Sequence, residues 1–432
     1  MGFIKSLLKK YAALLPPAGL LLLALVLLPA TLWLGGQVSA RMEQSTRDSQ
    51  ALRSLAADVP SAGQPAVIQA YMDRLESEVE QIETLVRHSS QRELVAYDIF
   101  PAPTERSSQI FVEYGQAYVQ AVNDLLGSLN ARDAPSESEI RSQTGTSQRS
   151  DRRGGMTTTT RRQTTEQDPM VDALCRARAE SISVYASPSV FAWHDYWTGF
   201  EFEGTQLALE DSWHAQIALW IYDDVSQTIQ AMNRGSEKVS TSPVKRLLGI
   251  RFSGPVTVGD DRRRSAMGTG RDTRTSGRRD TLNYITPEKP SNFVDYAWTQ
   301  RVGDQDYDVV HFAVSVIVDS RYVLDFMREL CSAKEHAFYE DFDPDGPLLQ
   351  SRRNQISILE NSVQVVQKEA PAHALYRYGD AAVMRLDLIC EYVLSRDGYD
   401  KIKPEPILKQ LGQSTSTDTT APSAPGGGPE WY

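Results

Sequence analysis

Residues 309–330 read VVHFAVSVIVDSRYVLDFMREL, a strand that runs straight into a helix. Val310, Phe312, Val314, Val316 and Val318 alternate with His311, Ala313, Ser315 and Ile317, the period of two that gives a β-strand one apolar face. Ser320 is a good N-cap for a helix over 321–332, with Val323, Leu324, Met327, Leu330 and Cys331 on its inner face. Residues 355–367 (QISILENSVQVVQ) alternate again. A last strand over 382–394 sets Met384, Leu386, Leu388, Cys390, Tyr392 and Leu394 against Arg385, Asp387 and Glu391. Strand, helix, strand, strand predicts an α+β unit of the ferredoxin-like, βαββ-type kind over residues 292–409.

Upstream, residues 169–253 read as a first module of the same type. A helix over 169–181 places Leu174, Arg178 and Ile182 in register. HAQIALWIY at 214–222 reads as a strand, a helix follows from Asp223 to Met232, and VKRLLGIRFS at 244–253 closes the module. WIYDDVSQTIQAM and VIVDSRYVLDFMREL then share one order, as a diverged duplication would. Residues 131–168, 254–291 and 410–432 are Ser-, Thr-, Arg-, Gly- and Pro-rich with few large apolar residues, and read as two disordered linkers and a disordered tail.

The N-terminal end decides the compartment. Residues 12–36, AALLPPAGLLLLALVLLPATLWLGG, carry no charge, and a helix from Pro16 to Gly36 spans roughly 30 Å, the thickness of a hydrocarbon core. Lys5, Lys9 and Lys10 in the stub 1–11 hold that end in the cytoplasm. The expectation is a single-pass inner-membrane protein with its bulk in the periplasm. The competing reading is a signal peptide cleaved after Ala40, which would make a secreted surface protein. An apolar stretch this long suits a span better.

Residues 41–130 read as a helical stalk. Ile68, Met72, Leu75, Val79, Ile82 and Val86 follow spacings of four and three, a heptad seam flanked by acidic residues. Ile110 to Leu129 carries a broader stripe that includes Phe111, Tyr114 and Tyr118. These nine residues are the expected partner interface, although either helix could instead pack on its own domain.

Short lysine-bearing N-terminus, one membrane span, coiled-coil stalk and ferredoxin-like modules: this order resembles PilO-type proteins of type IV pilus machines. It is similar also to the M-type proteins of type II secretion platforms and to pilus-associated surface proteins of verrucomicrobia. VSVIVDSRYVLDFMREL, ILENSVQVV and MRLDLICEYVL carry the likeness. The two long polar linkers, the acidic insertion at 339–350 and the tail depart from it. The resemblance implies a structural scaffold with no catalytic residues, which dimerises or pairs with a sibling single-pass (PilN-like) platform protein.

Nothing in the sequence points to an enzyme or a cofactor. The six histidines are scattered without metal spacing, and no phosphate-binding or hydrolase-elbow motif is present. Asp341, Asp343 and Asp345 with Gly346 imitate the start of a calcium loop, but position twelve is Arg352 where a bidentate glutamate is needed. An acidic solvated turn is the plainer reading. Trp193, His194, Tyr196, Trp197, Phe200 and Phe202 could form a binding platform, with core packing favoured. A net charge of −11 argues against a nucleic-acid partner. Three cysteines imply no disulfide framework, and Cys331 and Cys390 read as buried free thiols. A periplasmic ligand-binding module, using a pocket between sheet and helix, is the remaining alternative.

Overall fold

The computed structural model describes residues 35–50, 64–105, 107–144, 169–253 and 279–413. The expected membrane span lies almost wholly outside these residues, and no helix among them is long and apolar enough to cross a membrane. The chain divides into two compact units, 1–81 and 82–432. The first is represented by a helix at 35–50 (α1) and most of α2 (Gln64–His88), within which the boundary falls.

The second unit is α+β. Its helices longer than about one turn are α3 (Ser108–Ser128), α4 (Glu137–Thr144), α5 (Pro169–Ser181), α6 (Ala192–Thr198), α7 (Thr205–Met232), α8 (Val323–Leu330) and α9 (Glu405–Gln410). Its strands are β1 (Ala131–Arg132), β2 (Val184–Tyr185), β3 (Val244–Arg251), β4 (Asn283–Tyr284), β5 (Tyr307–Asp319), β6 (Lys334–Tyr339), β7 (Leu348–Arg353), β8 (Ile356–Val365) and β9 (Val383–Ser395). Seven of them form one sheet in the order β1-β2-β3-β5-β9-β8, with β4 also on β5, and β6 and β7 form a separate hairpin. The two longest strands, β5 and β9, pair antiparallel along their whole length, from Tyr307↔Ser395 to Asp319↔Val383.

The alternation in β5 and β9 is therefore realised as expected. Val310, Phe312, Val314, Val316, Leu386, Leu388 and Cys390 face a core shared with Ile217, Ile221 and Val225 of α7 and with Phe326 and Leu330 of α8. Two details of the β5–α8 passage differ. The carboxylate of Asp319, not Ser320, caps the turn by accepting from the Arg321 N–H at 3.0 Å. An intervening 3-10 turn, Ser320–Tyr322, then shifts the helix phase, so Phe326 and Leu330 point inward and Leu324 is exposed.

Three larger expectations are corrected. Residues 214–222 are not a strand; they lie inside the 28-residue α7, which is buried on nearly every side. A helix enclosed all round has no polar face, so its apolar run loses the period that would distinguish it from a strand. With that strand gone the duplication goes too. There are also no two separate modules, because β3 from the first stretch pairs antiparallel with β5 from the second. The linker boundaries move as well. Residues 131–144 supply β1 and α4, and 279–285 return to the core. Asp280 accepts hydrogen bonds from the Phe252 N–H (2.9 Å) and Ser253 Oγ (2.5 Å), so the residues flanking 254–278 meet.

Helix α3 is core rather than stalk. Phe111, Tyr114 and Tyr118 are at most 1% exposed, and Tyr114 donates to the Ser212 carbonyl of α7 at 2.8 Å. The aromatic cluster supplies the other side of this packing, with Tyr114 and Trp197 rings 5.1 Å apart in an edge contact. Gly115 permits the approach, since a Cβ there would lie 2.8 Å from Trp197 Cε3. A stripe this wide must be covered, and the aromatic run after β2 covers it.

Two buried histidines tie this core to pH. His214 of α7 stacks on Trp193 and accepts from the Leu282 N–H at 3.4 Å; His311 Nδ1 lies 2.8 Å from Ser291 Oγ. Burial, helped by Lys289, pushes His214 down to about 3, and burial pushes His311 down to about 4. Both stay neutral in the fold but bind protons in the unfolded chain below about 6.5. Their contribution is therefore complete above that pH and is lost as pH falls. Urea unfolding between pH 8 and 4 should show stability flat above pH 7, then dropping by about 1.4 kcal/mol per pH unit per histidine. His311→Gln should roughly halve the slope.

Candidate protein-protein interface

Helix α2 carries the heptad seam in the open. Ile68, Met72, Leu75, Val79, Ile82 and Val86 are each between 36% and 59% exposed, and Val67, Tyr71 and Leu85 widen the stripe. Residues at these spacings share one side of a helix. Isolated exposed apolar residues need no explanation, but nine along one helix side form a contiguous patch of the kind that marks a binding surface. Of the nine interface residues expected from sequence, the structure brings these six together and removes Phe111, Tyr114 and Tyr118 to the core.

The C-terminal end of α2, from Ile82 on, belongs to the second unit and is held within it by groups that sequence reading missed. Arg353 donates to the His88 carbonyl (2.5 Å) and to the Gln91 carbonyl. The Ser395 N–H donates to Ser90 Oγ at 2.6 Å. Arg87 carbonyl oxygen comes so close to Gly398 that any Cβ at 398 would collide with it at 2.3 Å. Four residues past the end of α2, Arg92 is buried, and its guanidinium donates to Asp224 Oδ2 (2.7 Å), the Trp220 carbonyl (2.9 Å) and Gln355 Oε1 (3.0 Å). Burial would raise the Asp224 carboxyl, but the Arg92 charge and the nearby His336 outweigh it and hold that carboxyl well below its usual range. The only sequence signal was an arginine between two apolar stretches, which looks like any surface residue.

His336 completes this cluster. Its Nε2 lies 3.1 Å from Asp224 Oδ1 and 3.0 Å from Arg92 Nη2. Asp223, Asp224 and His336 form the single group among the described residues whose donors lie close enough to hold a metal ion, within 4.8 Å of one another. The donor set does not suit a cation, because the Arg92 guanidinium already occupies its charge and its hydrogen-bonding positions. The acidic loop is no better placed. Asp341 pairs with Lys401 at 2.8 Å and Asp343 Oδ1 accepts from the Asp345 N–H at 3.1 Å, so the first carboxylate is neutralised by a remote lysine and the second caps its own turn.

Other features are structural. Trp193, Tyr196 and Trp197 are buried, which leaves Phe202 as the exposed member of the aromatic run. Arg279 pairs with Asp211 (3.0 Å) and Glu203 (2.9 Å). Buried side chains of the sheet and of α7 pack together in one core. A polar cavity of about 430 Å³ sits elsewhere, beside Ser89, Arg301, Asn354 and Ser357. The three cysteines are free thiols, with Cys175 and Cys390 buried.

No family model, no curated protein and no solved structure matches this chain.

Proposed function

We propose that this protein is a single-pass inner-membrane scaffold of a type IV pilus or type II secretion-like assembly platform, working through periplasmic protein-protein contacts. The exposed heptad seam on α2 carries the reading. It follows the uncharged stretch 12–36 in the chain and ends at a helix terminus fixed to a folded unit by buried hydrogen bonds. The strand order adds support. Read as α7-β3-β5-α8-β8-β9, the central four strands run β3-β5-β9-β8 with α7 and α8 sharing one core, which is the arrangement of a ferredoxin-like unit entered at its second helix. One such unit takes the place of the two expected from sequence.

Pairing through α2 gives the seam its role. Leu75→Asp would place a carboxylate in the middle of the stripe and is expected to weaken helix pairing about a hundredfold, because a charge buried without a partner is costly. In-cell cross-linking followed by membrane purification and mass spectrometry checks this. The wild-type chain should bring down a single-pass partner cross-linked at residues 64–88, and Leu75→Asp should lose it while thermal unfolding of the second unit stays unchanged. Equal recovery from both would refute the reading.

A further inference from the structure

We infer that the α2 seam is shaped for a helix of a different polypeptide, one with lysine or arginine beside its apolar positions, and not for a second copy of this chain. This rests on the pairing reading above and adds the chemistry of the partner. In the heptad that puts Ile68, Leu75 and Ile82 at one seam position and Met72, Val79 and Val86 at the other, Gln69, Glu76 and Glu83 flank one margin. Tyr71, Glu78 and Leu85 flank the other. Between residues 67 and 86 the helix holds Asp73, Glu76, Glu78, Glu80 and Glu83 against Arg74 alone. Arg74 is committed to Glu78 at 2.9 Å along the same helix.

Two copies of such a helix oppose like charges in either direction. A parallel pair sets Glu78 of one copy against Glu83 of the other. An antiparallel pair centred on the seam sets Glu78 against Glu78 and Glu76 against Glu76. Charges at these margins choose partner and orientation in coiled coils, and like-charge juxtaposition rejects the wrong partner. The seam covers only about three heptads, so apolar contact alone leaves pairing marginal and the margins decide. A partner with basic margins converts each of these repulsions into an attraction.

The test uses the full-length protein in detergent micelles and two synthetic 28-residue helices of identical apolar heptads, one with lysine and one with glutamate at the flanking positions. Fluorescence anisotropy at low salt should show the lysine helix binding at least tenfold more tightly, with the gap closing as salt rises. The triple variant Glu76→Lys, Glu78→Lys, Glu83→Lys should reverse the preference; its positions are exposed, and an unchanged melting temperature shows that the fold is intact. Equal binding of both helices would overturn the charge inference while leaving pairing itself standing. Binding of neither, together with no effect of Leu75→Asp on partner recovery, would overturn pairing. Salt-independent self-association by sedimentation velocity, lost in Leu75→Asp, would identify a second copy as the occupant and overturn the inference.

Discussion

Arg92→Ala is expected to lower the stability of the second unit by about 3–5 kcal/mol, the range for breaking a buried ion pair by removing one partner. The side chains of Arg92 and Asp224 are 4% and 2% exposed, so water cannot replace the lost guanidinium. Asp224 would remain as a carboxylate in the interior beside His336, and the Trp220 carbonyl and Gln355 would each lose a donor. Urea denaturation at pH 7 followed by tryptophan fluorescence measures the loss. The double variant Arg92→Met, Asp224→Leu should recover most of it, since a well-packed apolar pair often equals a buried ionic one. A single variant that costs under 1 kcal/mol would mean that water reaches the pair. The sign with pH follows from the depressed Asp224 carboxyl. The stabilisation is complete above about pH 4, the ordinary carboxylate range, and is lost as pH falls further, where His214 but not His311 still adds to the loss.

Phe111→Ala should cost a similar amount, about 3–5 kcal/mol, and should do so in unfolding rather than in association. Phe111 is fully enclosed, packing in the core that contains α6 and α7 and stacking on Phe202 at 5.9 Å. Deleting the ring leaves a cavity that a close-packed core fills only in part. Differential scanning calorimetry of the wild-type and variant chains would read this as a lower melting temperature. A variant that melts like the wild type but loses a partner would return α3 to the interface.

The sequence was most legible where a period was unbroken. β5, β8 and β9 lie where their alternation places strands, to within three residues at each end, although β5 is buried on both faces and β8 is exposed from Glu360 onward, and the α2 seam lies on the surface at its heptad spacing. Reading failed where burial erased the period. In α7 the run from His214 to Tyr222 is buried apart from the half-buried Leu219, and a helix enclosed in this way presents the same apolar string as a central strand. It failed again where the deciding contact was remote. Nothing local in Ile110–Leu129 says that an aromatic run some 80 residues later will cover it. Nothing local in Val244–Arg251 says that its neighbour is β5, about 70 residues on, rather than a strand of its own module. The latch of Arg92, Asp224 and His336 joins residues more than 100 positions apart, and only the folded chain assembles it.

The position of β9 has a consequence for how this protein is made. The last strand among the described residues is not at an edge; it lies between β5 and β8, with Arg385 to Leu388 bridging Val314–Ile317 on one side and Asn361–Gln364 on the other. Until residue 395 has emerged from the ribosome, β5 has no partner along that edge and β8 has none at all. Partner strands separated by 64 to 88 residues in β5 and β9 must find one another across long loops, the kind of closure that makes folding slow. The valine- and phenylalanine-rich face of β5 can meet α7 and α8 as soon as they are made, but its β9 edge stays an open row of backbone donors and acceptors until then, a template for pairing with another chain.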